Sequence, residues 1–149
     1  MVEVVRTNSS NLDFKNMVEL LDEYLSVIDG DEHFFYDKFN QIDNLDNVVV
    51  LYQYGEPVAC GAIKQIESEI AEVKRMYTMP QFRGYGFAKS VLMELEKWAK
   101  ELGFQKCVLE TGKRMNDAVE FYKRCNYKII PNYGQYVGIG NSICFEKVL

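Results

Sequence analysis

The sequence holds a single histidine, His33, so no multi-histidine metal centre can be assembled from it. One histidine suffices for a Ser-His or Cys-His pair, but no Gly-x-Ser-x-Gly elbow is present to supply the nucleophile. The four cysteines, Cys60, Cys107, Cys125 and Cys144, are far apart in apolar surroundings, and no Cys-x-x-Cys pair exists. That spacing argues against zinc and for reduced, packed thiols, so no metal is expected. No window approaches the roughly 20 apolar residues of a membrane span. The opening "MVEVVRTNSS" has neither the basic nor the apolar region of a signal peptide, so a cytoplasmic location and no membrane partner are expected. Repeats, low-complexity tracts and linkers are also missing. One domain spanning residues 1–149 is the expectation.

The net charge of −5 is unevenly spread. Residues Lys74–Lys128 carry 12 Lys/Arg and 6 Asp/Glu, against 5 and 16 in the remainder. Such asymmetry suits either different partners for different surfaces or ordinary solvated helix faces. The basic part lacks a stripe interleaved with base-stacking aromatics, which argues against nucleic acid.

Hydrophobic periodicity gives the elements. Val2–Arg6 reads as a strand. Met17, Leu20, Leu21, Tyr24, Leu25 and Ile28 recur at helical spacing up to Gly30. His33–Asn40 is expected to form a short second helix. Val48–Tyr54, Pro57–Ile66 and Ile70–Met79 read as hairpin-linked strands, with turns at Gly55-Glu56 and Glu67–Glu69 and a stop at Pro80. Phe87, Val91, Leu92, Leu95, Trp98, Ala99 and Leu102 mark a helix stopped by Gly103. Lys106–Glu110 is a buried-type strand. Asn116 reads as the cap of a helix with an apolar face of Ala118, Phe121, Tyr122 and Cys125, and Asn126 suits the left-handed turn after it. Tyr127–Ile130 and Ser142–Leu149 are the last strands. This order predicts an α/β fold with a mixed sheet and helices on both faces.

The stretch "QFRGYGFA", Gln81–Ala88, places two glycines behind an arginine at the head of a helix. A Walker loop ends in Gly-Lys-Ser/Thr, but here Ala88-Lys89-Ser90 has alanine, and Arg83 stands where the first glycine belongs. A dinucleotide fingerprint needs a third glycine where Lys89 stands, and it follows the first strand of a parallel unit. Both patterns fail. What fits is Arg83-Gly84-Tyr85-Gly86-Phe87-Ala88 as Arg/Gln-x-x-Gly-x-Gly/Ala. Small residues let backbone N–H groups approach a pyrophosphate, the helix N-terminus faces the same anion, and Arg83 adds charged donors.

This loop, with "EVKRMYTMPQFRGYGFAKSVLMELEKWAKELGF" around it and "VLETGKRMNDAVEFYKRCNYKII" after it, resembles the GNAT family of N-acetyltransferases, in its branch of small bacterial members. The resemblance covers about residues 48–130. It implies a central mixed sheet of six to seven strands flanked by four helices, and acetyl-CoA as co-substrate. The strand before the loop would splay from its neighbour, and the backbone of Met76, Tyr77 and Thr78 would pair with pantetheine. Arg83, Gly84, Tyr85, Gly86, Phe87, Ala88 and Lys89 would bind the pyrophosphate. Asn116 would be either a polar contact near pantetheine or simply a cap. Tyr122 would protonate the departing thiolate. Glu72, Glu110 or water alone would deprotonate the amine; period-two alternation puts Glu72 on one face with Lys74 and Met76. Ion pairing with Lys74 is the alternative role for Glu72, and a strand-end structural contact is that for Glu110. The acceptor, a small-molecule or peptide amine, would meet Glu32, Phe34, Phe35, Tyr133 and Tyr136, joined by Asp29 and Asp31 as acidic groups suited to a cation. A homodimer through the final strands is a further expectation. The alternative to an enzyme is a non-catalytic acyl-CoA-binding sensor.

Overall fold

The computed structural model describes residues 1–30 and 44–149. The helix expected over His33–Asn40, and with it Asp31, Glu32, Phe34 and Phe35, lies outside the described residues. In chain order the elements are β1 (Val2–Thr7), α1 (Leu12–Asp29), β2 (Asn47–Gln53), β3 (Glu56–Glu67), β4 (Ile70–Thr78), α2 (Phe87–Glu101), β5 (Lys106–Gly112), α3 (Asn116–Arg124), β6 (Lys128–Ile130) and β7 (Ser142–Val148). The strands form one mixed sheet in the order β1-β2-β3-β4-β5-β7-β6. Its first four strands are an antiparallel meander, β5 lies parallel to β4, and β7 sits antiparallel between β5 and β6. The sheet has seven strands, within the six to seven expected, and among the described residues three α-helices cover it where four were expected.

Local chemistry explains the punctuation. Asn11 caps α1, its Oδ1 accepting from the Phe14 N–H at 2.9 Å. Tyr54 and Gly55 both take positive φ, which matches the twist of the β2–β3 hairpin. Asn126 ends α3 at φ 71, as its side chain permits.

Two apolar layers hold the helices on opposite faces. Phe14, Met17 and Val18 of α1 pack on Val48, Val50, Cys60 and Ala62. On the other face Val91, Leu92, Leu95 and Ala99 of α2 meet Val49, Leu51, Ala59, Ile63 and Val73, and Val119 and Tyr122 of α3 join the same cluster beside Leu109 and Phe145. Each fully buried large side chain contributes roughly 1.5–3 kcal/mol, so all three helices are pinned by packing. Gly61 faces α2 with no room for a side chain. A Cβ there would collide with Met76 Sδ and sit 3.0 Å from Leu95 Cδ1.

Two departures from regular sheet open the site. β4 and β5 pair only at Ile70–Lys106, Ala71–Cys107 and Glu72–Val108, although β4 continues to Thr78 and β5 to Gly112. Beyond Glu72 the two strands diverge. On its other edge β4 carries a bulge: Cys60 pairs with Tyr77 but Ala62 with Lys74, so two steps on β3 face three on β4. Arg75, at φ 58, is the residue that absorbs the extra step.

Candidate functional site

The fork between β4 and β5 opens into a cleft of about 1070 Å³. Met76, Tyr77 and Thr78 line it from β4; Arg83, Gly84, Gly86, Phe87, Ala88 and Lys89 from the loop and the start of α2; Asn116 and Tyr122 from α3. The loop geometry follows from its glycines. Gly84 and Gly86 have φ of 86° and 82°, and no atom lies within 4 Å of a Cβ built on either. Gly86 is the N-cap of α2 and no side chain caps that end. The first-turn N–H groups, which have no partner within the helix, open onto the cleft with the positive end of the helix dipole. These features fit an anionic group such as a pyrophosphate.

Two loop residues behave less simply than the motif implies. Arg83 Nε donates to the Thr78 carbonyl at 3.0 Å, and its guanidinium lies 5.5 Å from the Tyr77 ring centroid. Tyr85 stacks near Phe87, with ring centroids 6.0 Å apart; it is 70% exposed and is not among the residues lining the cleft.

Asn116 does not cap α3. Met115 occupies the cap position, because its carbonyl accepts the first helical bond, from Val119 N–H at 3.0 Å. Asn116 is the first helical residue and lines the cleft.

A second cavity of about 130 Å³ lies toward α1, lined by Glu72, Lys74, Arg75, Glu110, Tyr122 and Tyr136 among others. Glu72 is 4% exposed. Its Oε1 lies 3.3 Å from Lys74 Nζ, and its Oε2 accepts a short hydrogen bond from the Tyr133 hydroxyl. Glu110 Oε2 accepts from Ser142 Oγ at 2.8 Å. Burial, with Glu72 adding to it, pushes the Tyr133 phenol well above its ordinary range; burial with Glu110 and Glu72 does the same to Tyr136. Thus Glu72, Glu110, Tyr133 and Tyr136 come together, while Glu32, Phe34 and Phe35 lie outside the described residues. Among the described residues no group of three or more His, Cys, Asp or Glu could hold a metal ion, and no helix is long and apolar enough to cross a membrane.

Tyr122 belongs to both spaces. Together with Leu21, Met76, Met115 and Ala118 it lines the large cleft and the small cavity. Its ring is held by Phe121, Tyr127 and Phe145 at centroid distances of 5.1, 5.8 and 6.1 Å. Burial raises its phenol well above the ordinary range, with a smaller push from Cys125, so the hydroxyl keeps its proton throughout neutral pH.

The bulge corrects one detail of the strand reading. Lys74 shares the α1 face with Glu72, but the extra residue turns Met76 onto the α2 face, against the Val91–Leu95 cluster, and Tyr77 onto the α1 face beside Cys60. Strict alternation cannot reveal this, nor the buried position of Arg75, because a bulge is a property of the strand pair. Arg75 and Met115 are site-lining residues that sequence reasoning misses, whereas the Lys74–Glu72 pair is the one it offered as Glu72's alternative role.

Comparison with known proteins agrees with this geometry. Residues 14–127 match the acetyltransferase (GNAT) family. An uncharacterised N-acetyltransferase of Escherichia coli, YjgM, is 36% identical over 85 residues, covering 55% of this chain and 50% of that protein. The chain thus spans about half the length of that relative. A solved protein of Klebsiella pneumoniae, assigned to the acyl-CoA N-acyltransferases, superposes with a TM-score of 0.84 at 25% identity, covering 100% of this chain and 98% of the other. The PaiA N-acetyltransferase of Thermoplasma acidophilum, solved with coenzyme A, shares the fold with a TM-score of 0.74 at 18% identity, over 100% and 99% of the two chains. With the family match covering most of the chain, this protein belongs to the acetyltransferase (GNAT) family.

Proposed function

We propose that the protein is an acetyl-CoA-dependent N-acetyltransferase that passes the acetyl group directly to a primary amine within a ternary complex. The observation that carries this reading is the position of Tyr122, a buried and protonated phenol common to the large cleft and the small carboxylate-lined cavity. A donor in the first space and an acceptor in the second would meet at its hydroxyl.

Acetyl-CoA, when bound, supplies an activated acetyl group as a thioester. The first-turn N–H groups of α2 and the loop Arg83–Lys89 hold its pyrophosphate, and the unpaired edge of β4 at Met76–Thr78 offers backbone groups to the pantetheine amides. For that, Arg83 exchanges its bond to the Thr78 carbonyl for contacts with the anion. Asn116 adds a polar contact at the mouth of α3. Tyr122 Oη holds the proton that the departing sulfur takes up. Its raised pKa does not make it idle, because burial raises the proton affinity of a thiolate in the same pocket too.

The acceptor must attack as a neutral amine, yet an alkyl amine near pKa 10 is protonated at neutral pH. Glu72 Oε takes that proton in our reading. It stands where the strands part, and Lys74 and Tyr133 fix its carboxylate. Glu110 is the second carboxylate, across the fork on β5. The four cysteines are buried, and burial raises their thiols, so none is offered as an acetyl carrier.

The test is free-thiol release when the protein, acetyl-CoA and a panel of primary amines are mixed. Amine-dependent release with matching amide product is expected. Thermal stabilisation by acetyl-CoA with no release for any amine would replace the enzyme by an acyl-CoA-binding sensor.

A further inference from the structure

Tyr122 is placed by its ring. Among the described residues its hydroxyl makes no hydrogen bond, so the backbone and the neighbouring rings decide where that hydroxyl points. Two of those rings, Phe121 and Phe145, carry no polar group. The third, Tyr127, is anchored in two ways.

The first anchor is the main chain. Asn126, left-handed at φ 71, turns the chain back after α3, and the Tyr127 N–H donates to the Tyr122 carbonyl at 3.0 Å. The two rings then meet edge to face, with centroids 5.8 Å apart and planes at 70°. The second anchor is polar. The Tyr127 hydroxyl donates to Glu96 Oε2 of α2 at 2.8 Å, and Lys147 Nζ of β7 donates to Glu96 Oε1 at 2.9 Å. Tyr127 is 3% exposed, and the Glu96 side chain 12%. Burial, then Cys107 and Glu96, hold the Tyr127 phenol well above its ordinary range, so it remains the donor.

The turn accounts for a ring at position 127 but not for its hydroxyl. A helix end of this kind is completed by an apolar contact, which phenylalanine would also supply. Burying a phenol beside a carboxylate–ammonium pair costs desolvation that an apolar trio would avoid. What a fully paired network adds is one fixed arrangement of its members. That matters here because α3 has only nine residues, too few to hold its own end rigid. Glu96 and Lys147 tie that end to α2 and to the sheet.

We propose that Tyr127 is a positioning residue for the acid: held by Glu96 and Lys147, it fixes the Tyr122 ring so that the Tyr122 hydroxyl meets the departing sulfur. The inference rests on the acetyltransferase reading and deepens it. A reacting group displaced by about 1 Å loses much of its rate advantage, so a loosened Tyr122 transfers its proton less well while both substrates still bind.

The experiment is a double-mutant cycle on kcat, read as thiol release from acetyl-CoA with an amine that the wild type turns over. Tyr127→Phe keeps the ring and loses the polar anchor, so kcat should fall about tenfold while KM for acetyl-CoA and for the amine moves by no more than about twofold. In the Tyr122→Phe background the same change should alter kcat by no more than about twofold, because the hydroxyl being positioned is already gone. Glu96→Leu should reproduce Tyr127→Phe in both backgrounds, and it carries the cycle if Tyr127→Phe does not fold. Glu96→Gln, which keeps an oxygen acceptor for the phenol, should recover most of the rate. A loss of kcat by the same factor in both backgrounds, or a lowered Tm with kcat unchanged, overturns the positioning role and leaves the acetyltransferase reading intact. Unchanged kcat in Tyr122→Phe itself removes the acid role and this inference with it. Absence of thiol release with every amine removes the enzyme reading as well.

Discussion

Gly84→Asp, measured against Gly84→Asn, isolates the electrostatics of the pyrophosphate loop. Both replacements meet the same backbone demand, φ +86, and Asn and Asp tolerate that region better than other side chains. Both have room, since nothing lies within 4 Å of a Cβ at this position. The shared backbone strain is about 1 kcal/mol, so it cancels between the two. What remains is one negative charge. Two negative charges about 6 Å away, at an effective dielectric of about 60 for an exposed loop, repel it by about 2 kcal/mol. That is roughly a thirtyfold weaker Kd for acetyl-CoA in the aspartate variant than in the asparagine variant. The gap should shrink with salt, because the screening length falls to about 10 Å at 0.1 M and about 3 Å at 1 M. Calorimetric titration at low and high salt measures both effects. Equal affinities for the two variants at low salt would refute the idea that this loop faces a phosphate anion.

Three further outcomes follow from the same structure. Tyr122→Phe keeps the ring packed against Phe121, Tyr127 and Phe145, so Tm should move little while kcat falls about 100-fold or more; unchanged kcat would end the acid role. Glu72→Gln should lower kcat/KM near pH 7 about 100-fold and Glu110→Gln less, and the reverse order would move the base to Glu110. Alkali should unfold the protein early: burial lifts Cys60 from 9.0 to about 12. Stability from the neutral thiol is fully present at neutral pH, where both states are protonated, and is lost as pH rises through the unfolded pKa toward 12 because the unfolded thiol ionises first. For Cys60 alone the loss approaches roughly 4 kcal/mol by pH 12. Urea midpoints that stay flat from pH 7 to about pH 10.5 would contradict the buried-thiol account, since an unfolded thiol ionises near 8.5.

Much of this molecule is legible in its sequence because the relevant forces are local. The Phe87–Ala99 apolar face of α2 and the left-handed turn at Asn126 each depend on a few neighbouring residues, and each is found where the pattern puts it, whereas Leu102, expected on that face, caps the helix end and is exposed. What was illegible depends on pairs of distant segments. The bulge at Arg75 exists because β3 and β4 keep different counts between the same two rungs. It reverses the facing of Met76 and buries an arginine that alternation would leave unremarkable. The Tyr133–Glu72 hydrogen bond joins residues 61 positions apart, so spacing alone could name both groups but not bring them together. The cap of α3 fell to Met115 rather than Asn116 because the chain turns first at Gly112, whose carbonyl takes the Met115 N–H at 3.0 Å.

The central claim is that donor and acceptor meet at Tyr122, between the fork of β4 and β5 and the cavity of Glu72. A crystal structure of the protein with acetyl-CoA tests it most directly. The account predicts the pyrophosphate on the first turn of α2, pantetheine amides bonded to the backbone of Met76–Thr78, and the thioester sulfur within hydrogen-bond reach of the Tyr122 hydroxyl. A cofactor bound outside the fork, or a sulfur remote from Tyr122, would contradict it.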